Sequence, residues 1–390
     1  MKLSYARVIV AMLTSLLLCG LGFPRIAGAA ASGSRIWQKL QQNALLDAYF
    51  PDATREVAEP LVRASGGQWQ GVQINGAYRS GWLNLYTVDA DRLESDAVLA
   101  DAGVDNFTRE NLQGGALTQV DTGIVFLNTA AWKRLAAATY LTQYKIQPDL
   151  TAALAYVDAV GLAATRKYWD ESTLSLDTPQ NQRVGWLLRG AAAFVLAHEM
   201  GHMRIDDVAS DPAPAKLPSN LTQRQKDERN ACPEALLPEF RQRQQIERSA
   251  DLAAVGLLGK QCSIGNDGQL RHAINMLGTS WYFLAAMSDK LLQMGRNSSS
   301  PTIARALRMK IGPELYERVV AARAAANPKG AVKSAYPSTH PPDTERMRAI
   351  ETALQSTPCG GGNLDSSGAQ MLEMFRLQMC RSLIGQGDEQ

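Results

Sequence analysis

Histidine is scarce in this chain, four in 390 residues, and several other shortages narrow what the chain can do. It has no marked charge imbalance: 40 basic residues face 38 acidic ones, a net of +2. Lys2, Arg7 and Arg25 all fall within the first 29 residues, which hold no acid, so without that segment the balance tips slightly acidic. Nucleic acid and anionic membrane are therefore disfavoured partners. The apolar run from Val8 to Leu21 is too short to span a bilayer comfortably. None of the five cysteines lies in a C-x-x-C pair, which disfavours a cysteine-built zinc site. There is no G-x-S-x-G elbow, no phosphate-cradling glycine loop opening a helix, no basic stripe interleaved with aromatics and no internal repeat. Serine hydrolase, nucleotide-binding and nucleic-acid-binding functions thus have little support.

What is present is ordinary globular composition, 45% hydrophobic and 20% charged, with length enough for one large domain or two smaller ones. The N-terminus reads as an export signal. Lys2 and Arg7 precede the apolar run, Pro24 breaks it, and Ala27-Gly28-Ala29 fits a small-residue cleavage site before Ala30. Cys19 hints at a lipoprotein box, but Leu18 stands where that box needs a small residue, which argues against lipidation. Removing the signal leaves Cys232, Cys262, Cys359 and Cys380. An even number in an exported chain suggests two disulfides, and pairing of near neighbours gives Cys232–Cys262 and Cys359–Cys380.

Local patterning is mostly helical. Short helices are expected between Ser34 and Ser65, then a break at Gly66-Gly67. Gly81 to Val88 and Asp121 to Asn128 carry most of the β signal. Ala130 to Tyr168 has helical spacing, interrupted near Pro148. Thr178 and Pro179 open a helix that should run to His202, with Leu187, Ala191, Phe194 and Val195 on its buried face. Gly185 and Gly190 weaken that helix and suit close packing by a neighbour. Ala209 to Asn220 is a Pro/Ser loop. Helical spacing returns from Pro238 to Leu258 and from Leu270 to Gln293. Tyr336 to Arg346 is extended, a helix covers Arg346 to Leu354, and a last amphipathic helix ends near Leu383.

Two of the four histidines sit in His198-Glu199-Met200-Gly201-His202, at the end of the long apolar helix. A spacing of four puts both imidazoles on one helix face, able to hold one zinc ion while Glu199 points to a water on it. A catalytic zinc normally has a third protein ligand and one open position. Glu247-Arg-Ser-Ala-Asp251 supplies a carboxylate pair at the head of an otherwise apolar helical stripe. An unpaired buried carboxylate is costly, and zinc would be the partner of Glu247. Asp251, one turn further on, could accept the outer N–H of a ligand histidine and fix its tautomer. His272 reads as an ordinary surface or core histidine.

The three segments His198-Glu-Met-Gly-His202, Glu247-Arg-Ser-Ala-Asp251 and Ser338-Thr-His340-Pro341-x4-Arg346 occur in the order found in gluzincin metalloendopeptidases of the HtpX and CAAX prenyl protease type, which the chain resembles from about Asp121 to Leu354. The resemblance implies an α+β, mostly helical, zincin-like metallopeptidase fold with a small antiparallel sheet. It implies one zinc on His198, His202 and Glu247, with Glu199 as general base and Asp251 behind a ligand. His340 and Arg346 would approach the substrate to stabilise the oxyanion or hold the loop, although Arg346 equally suits a structural ion pair. Asp121 to Asn128 would be the edge strand on which an extended substrate pairs. The chain departs from the family in three ways: a longer span between that strand and His198, no Asn-Ala-Phe segment before the strand, and no multi-span membrane helices.

The expected organisation is a signal peptide over 1–29, an N-terminal helical region over 30–80, a zinc metallopeptidase domain over 81–355 and a disulfide-bearing tail over 356–390. The expected function is a periplasmic zinc metalloendopeptidase of envelope quality control, acting on proteins or peptides. Two alternatives stay open: a zinc-containing binding or chaperone-like protein that cleaves nothing, and a peptidase kept latent by its own loop or tail.

Overall fold

Strand-forming residues cluster between Val72 and Asn128, and in the computed structural model two helices precede that stretch and further helices follow it. The structure describes residues 23–47, 51–93, 98–112, 115–169, 179–203, 240–297, 301–326, 343–357, 364, 370–372 and 374. The main elements are α1 (Phe23–Gln42), α2 (Pro51–Ala64), β1 (Val72–Ile74), β2 (Leu83–Val88), β3 (Ala116–Gln119), β4 (Ile124–Asn128), α3 (Thr129–Gln143), α4 (Leu150–Val160), α5 (Pro179–His202), α6 (Phe240–Lys260), α7 (Gly268–Asn297), α8 (Pro301–Ile311), α9 (Pro313–Ala326) and α10 (Asp343–Leu354). The segment 30–80 therefore holds β1 as well as helix, and β1 pairs with β2 across residue 80, Val72 opposite Leu83.

The chain is α+β and mostly helical, but its sheet is mixed, where an antiparallel one was expected. The strand order is β1-β2-β4-β3, with β1, β2 and β4 parallel and only β3 antiparallel. The cause lies in the connections and in burial. Residues 89 to 123 separate β2 from β4, long enough for the crossover that parallel neighbours require. Both central strands are buried on two faces, as parallel strands usually are. Leu83, Leu85, Val125 and Leu127 join the core that holds α5, whereas Tyr86, Val88, Ile124 and Phe126 face Ile36 and Leu40 of α1.

Central placement also corrects the strand assignment. β4 is flanked by β2 and β3 and has no free edge for a substrate. The edge beside α5 belongs to β3, a four-residue strand. Gly123, in the left-handed conformation at φ 66°, turns the chain from β3 into β4.

α5 is buried around its circumference. Leu187, Ala191, Phe194 and Val195 are inside as patterned, but so are Leu188, Ala193 and Leu196 on other faces. Two glycines permit this. A Cβ on Gly190 would stand 2.1 Å from the carbonyl oxygen of Ile274 in α7, and one on Gly201 would stand 2.7 Å from that of Ala250 in α6. The helices α7 and α6 thus lie backbone to backbone against the middle and the C-terminal end of the HExxH helix.

Cys262, in the turn after α6, is in a disulfide; Cys232, Cys359, Cys380 and Cys19, and with them the expected pairings, lie outside the described residues. Among the described residues no helix is long and apolar enough to cross a membrane.

Candidate metal centre

The close approach at Gly201 brings the first half of α6 beside the last turn of α5. There the Nε2 atoms of His198 and His202 stand 3.1 Å apart. One carboxylate oxygen of Glu247, Oε2, is 3.0 Å from the first and 3.6 Å from the second. Two ligand atoms about 2.0–2.1 Å from a tetrahedral ion stand roughly 3.3–3.4 Å from each other. The three observed separations bracket that value, so two imidazoles and a carboxylate fit a zinc ion in both chemistry and spacing. Among the described residues these three form the one group of His, Cys, Asp or Glu side chains close enough to hold a metal.

Behind the ligands, Asp251 Oδ1 accepts from His198 Nδ1 at 2.9 Å. That hydrogen bond puts the proton on Nδ1 and leaves the Nε2 lone pair for a metal. Arg346, from the first turn of α10, donates from Nε to Oδ2 and from Nη2 to Oδ1 of Asp251, each at 2.8 Å. Its guanidinium also lies 5.0 Å from the ring centre of Phe283 in α7. Arg346 is 3% exposed and Asp251 1%, so this is a dry, two-pronged ion pair. Of the two roles open to Arg346, the structure shows the ion pair: its guanidinium is turned to Asp251. His340 lies outside the described residues.

The electrostatics follow from the packing. Burial alone would push Asp251 up, but the adjacent Arg346 and the hydrogen bond to His198 hold its carboxyl well below the usual carboxylate range. Burial likewise pushes His198 down, yet the hydrogen bonds and charges of Asp251 and Glu247 outweigh it and lift the metal-free imidazole to about 10. Without an ion, a proton on His198 neutralises the carboxylates around it.

Glu199 is 9% exposed and points toward the sheet. Its carboxylate Oε2 accepts a hydrogen bond from the Thr118 hydroxyl on β3, and the same hydroxyl is 3.3 Å from the Glu199 carbonyl oxygen. The phase of β3 is set by Asn128, whose N–H donates to the Gly115 carbonyl at 2.9 Å. In the antiparallel ladder, Leu117 and Gln119 then bond to β4, while Ala116 and Thr118 turn their N–H and C=O groups outward.

Sequence patterning missed Thr118 and Phe283. β3 is too short to show an alternating signal, and Phe283 is one more apolar position in a long apolar helix. No protein-family profile, characterised protein or solved structure matches the chain.

Proposed function

We propose that the chain is an exported zinc metalloendopeptidase of the gluzincin type, with protein or peptide substrates. The observation that carries this is the convergence of His198, His202 and Glu247 on one point, with Glu199 alongside and the outward-facing edge of β3 next to it. A zinc ion held by the three ligands would polarise a peptide carbonyl and acidify a water molecule. Glu199 would serve as the base, taking a proton from a water molecule as the water oxygen bonds to the carbonyl carbon and giving it to the nitrogen as the C–N bond breaks. The products are a carboxylate and an amine. Asp251, held by Arg346, keeps His198 in the tautomer that coordinates. An extended substrate backbone pairs with Ala116 and Thr118, a mode of binding that is tolerant of sequence. Such tolerance suits a protease of envelope quality control, which meets many unfolded chains.

Export is supported by two structural observations besides the N-terminal pattern. Cys262 is in a disulfide, a bond that persists in oxidising compartments. Among the described contacts, α1 is anchored at Ser32, whose hydroxyl donates to the Ala102 carbonyl at 3.0 Å, and at Gly33, whose backbone packs against the Tyr78 ring. Both lie beyond the cleavage site before Ala30, so removal of the signal leaves them in place.

The test is incubation of the mature, zinc-loaded protein with unfolded casein, with and without a chelator. Chelator-sensitive fragments are expected. Intact casein in both samples would favour a zinc-bearing binding protein. Cleavage that appears only after removal of residues 209–220 or of the C-terminal tail would favour a latent enzyme.

A further inference from the structure

Thr118 is placed where no simple packing role needs a hydroxyl. Its backbone is on the outward edge of β3, and its side chain turns to α5, where it donates to the carboxylate of Glu199. Among the described residues this is the one side-chain hydrogen bond to that carboxylate. A glutamate side chain has three torsions, and without an anchor its carboxylate samples several rotamers. A charge-assisted hydrogen bond on one oxygen fixes the plane of the group, and among the described residues the other oxygen has no side-chain partner.

We propose that Thr118 is a positioning residue for Glu199, so that one residue of the edge strand both pairs with substrate backbone and aims the base. Resting on the peptidase function proposed above, this makes β3 part of the catalytic geometry as well as a binding edge. Misplacement of a reacting group by about 1 Å can cost about 100-fold in rate.

Thr118→Val removes the hydroxyl but keeps the branched shape that strands favour. Thr118→Ser keeps the hydroxyl. With unfolded casein, Thr118→Val should lower kcat about tenfold to 100-fold while KM and zinc content stay near wild type, and Thr118→Ser should recover most of the loss. A second measurement does not depend on catalysis. In the metal-free protein the side-chain carboxyl 13C resonance of Glu199 can be assigned by its loss in Glu199→Gln. It should move in Thr118→Val and stay in Thr118→Ser. An unmoved resonance in Thr118→Val, an unchanged kcat, or an equal loss in the Ser and Val variants would overturn the proposal. Should wild-type protein cleave nothing, the peptidase function fails, while the resonance still decides whether Thr118 holds Glu199.

Discussion

The guanidinium of Arg346 grips both carboxylate oxygens of Asp251, at 2.8 Å each, in a position almost closed to water. Through the other contact of Asp251, to His198 at 2.9 Å, a residue of α10 is linked to a candidate metal ligand on α5.

Arg346→Leu therefore leaves a buried carboxylate without its cation. Breaking such a pair from one side typically costs about 3–5 kcal/mol. Loss of the support behind a metal-binding histidine typically costs about 10- to 100-fold in affinity. Urea unfolding and a zinc-competition titration should show both losses. Arg346→Lys should be intermediate, since it keeps the charge but not the fork. Unaltered zinc affinity in Arg346→Leu would remove Arg346 from the metal site.

The closeness of α5 and α6 makes an opposite pair of glycine substitutions informative. Gly201→Ala drives a methyl to 2.7 Å from the Ala250 carbonyl, so α6 must move and carry Glu247 away from the histidines. Zinc binding should be lost together with stability. Gly256→Ala, on the same α6, meets nothing within 4 Å. It should raise the unfolding midpoint by up to about 1 kcal/mol equivalent through helix propensity alone, with zinc content unchanged. Thermal unfolding and metal analysis of the two proteins test this.

Zinc uptake should be coupled to proton release. In the metal-free fold His198 is lifted from 6.5 to about 10. Its protonation stabilises that form fully below 6.5, and the contribution is lost as pH rises through about 10. An ion must displace this proton, so affinity should climb with pH up to that point. Calorimetry at pH 8 in buffers of different ionisation enthalpy should give about one proton released per zinc. A binding heat independent of buffer would contradict it.

His272 sets a different pH limit. It is 8% exposed and, among the described residues, neither ring nitrogen has a hydrogen-bond partner. Burial lowers its pKa from the ordinary 6.5, so the neutral form belongs to the fold. A depressed histidine contributes stability above the unfolded value and loses it as pH falls below about 6.5. Urea midpoints of wild type and His272→Leu should thus diverge below that pH, wild type falling faster. Parallel pH profiles would show that His272 plays no part in acid lability.

How much was legible in the sequence depended on range. The spacing of four between His198 and His202, and again between Glu247 and Asp251, is a local helical relation, and the two helices do present those residues to each other. The opening of α5 at Pro179 was legible for the same reason. Sheet order is a long-range property: nothing local to Ile124–Asn128 says that another strand covers its outer side. β3 was hidden by its length of four residues. The partner of Arg346 depends on how α10 folds back on α6, which helical periodicity does not encode.

The proposed peptidase depends on Glu199 as the base of a zinc-dependent hydrolysis. Its most direct test compares wild type with Glu199→Gln for zinc content and for cleavage of unfolded casein. The variant should keep one zinc per chain and lose cleavage by about 100-fold or more, as expected for removal of a general base. A zinc-loaded Glu199→Gln protein that cleaves casein at the wild-type rate would show that Glu199 is not the base.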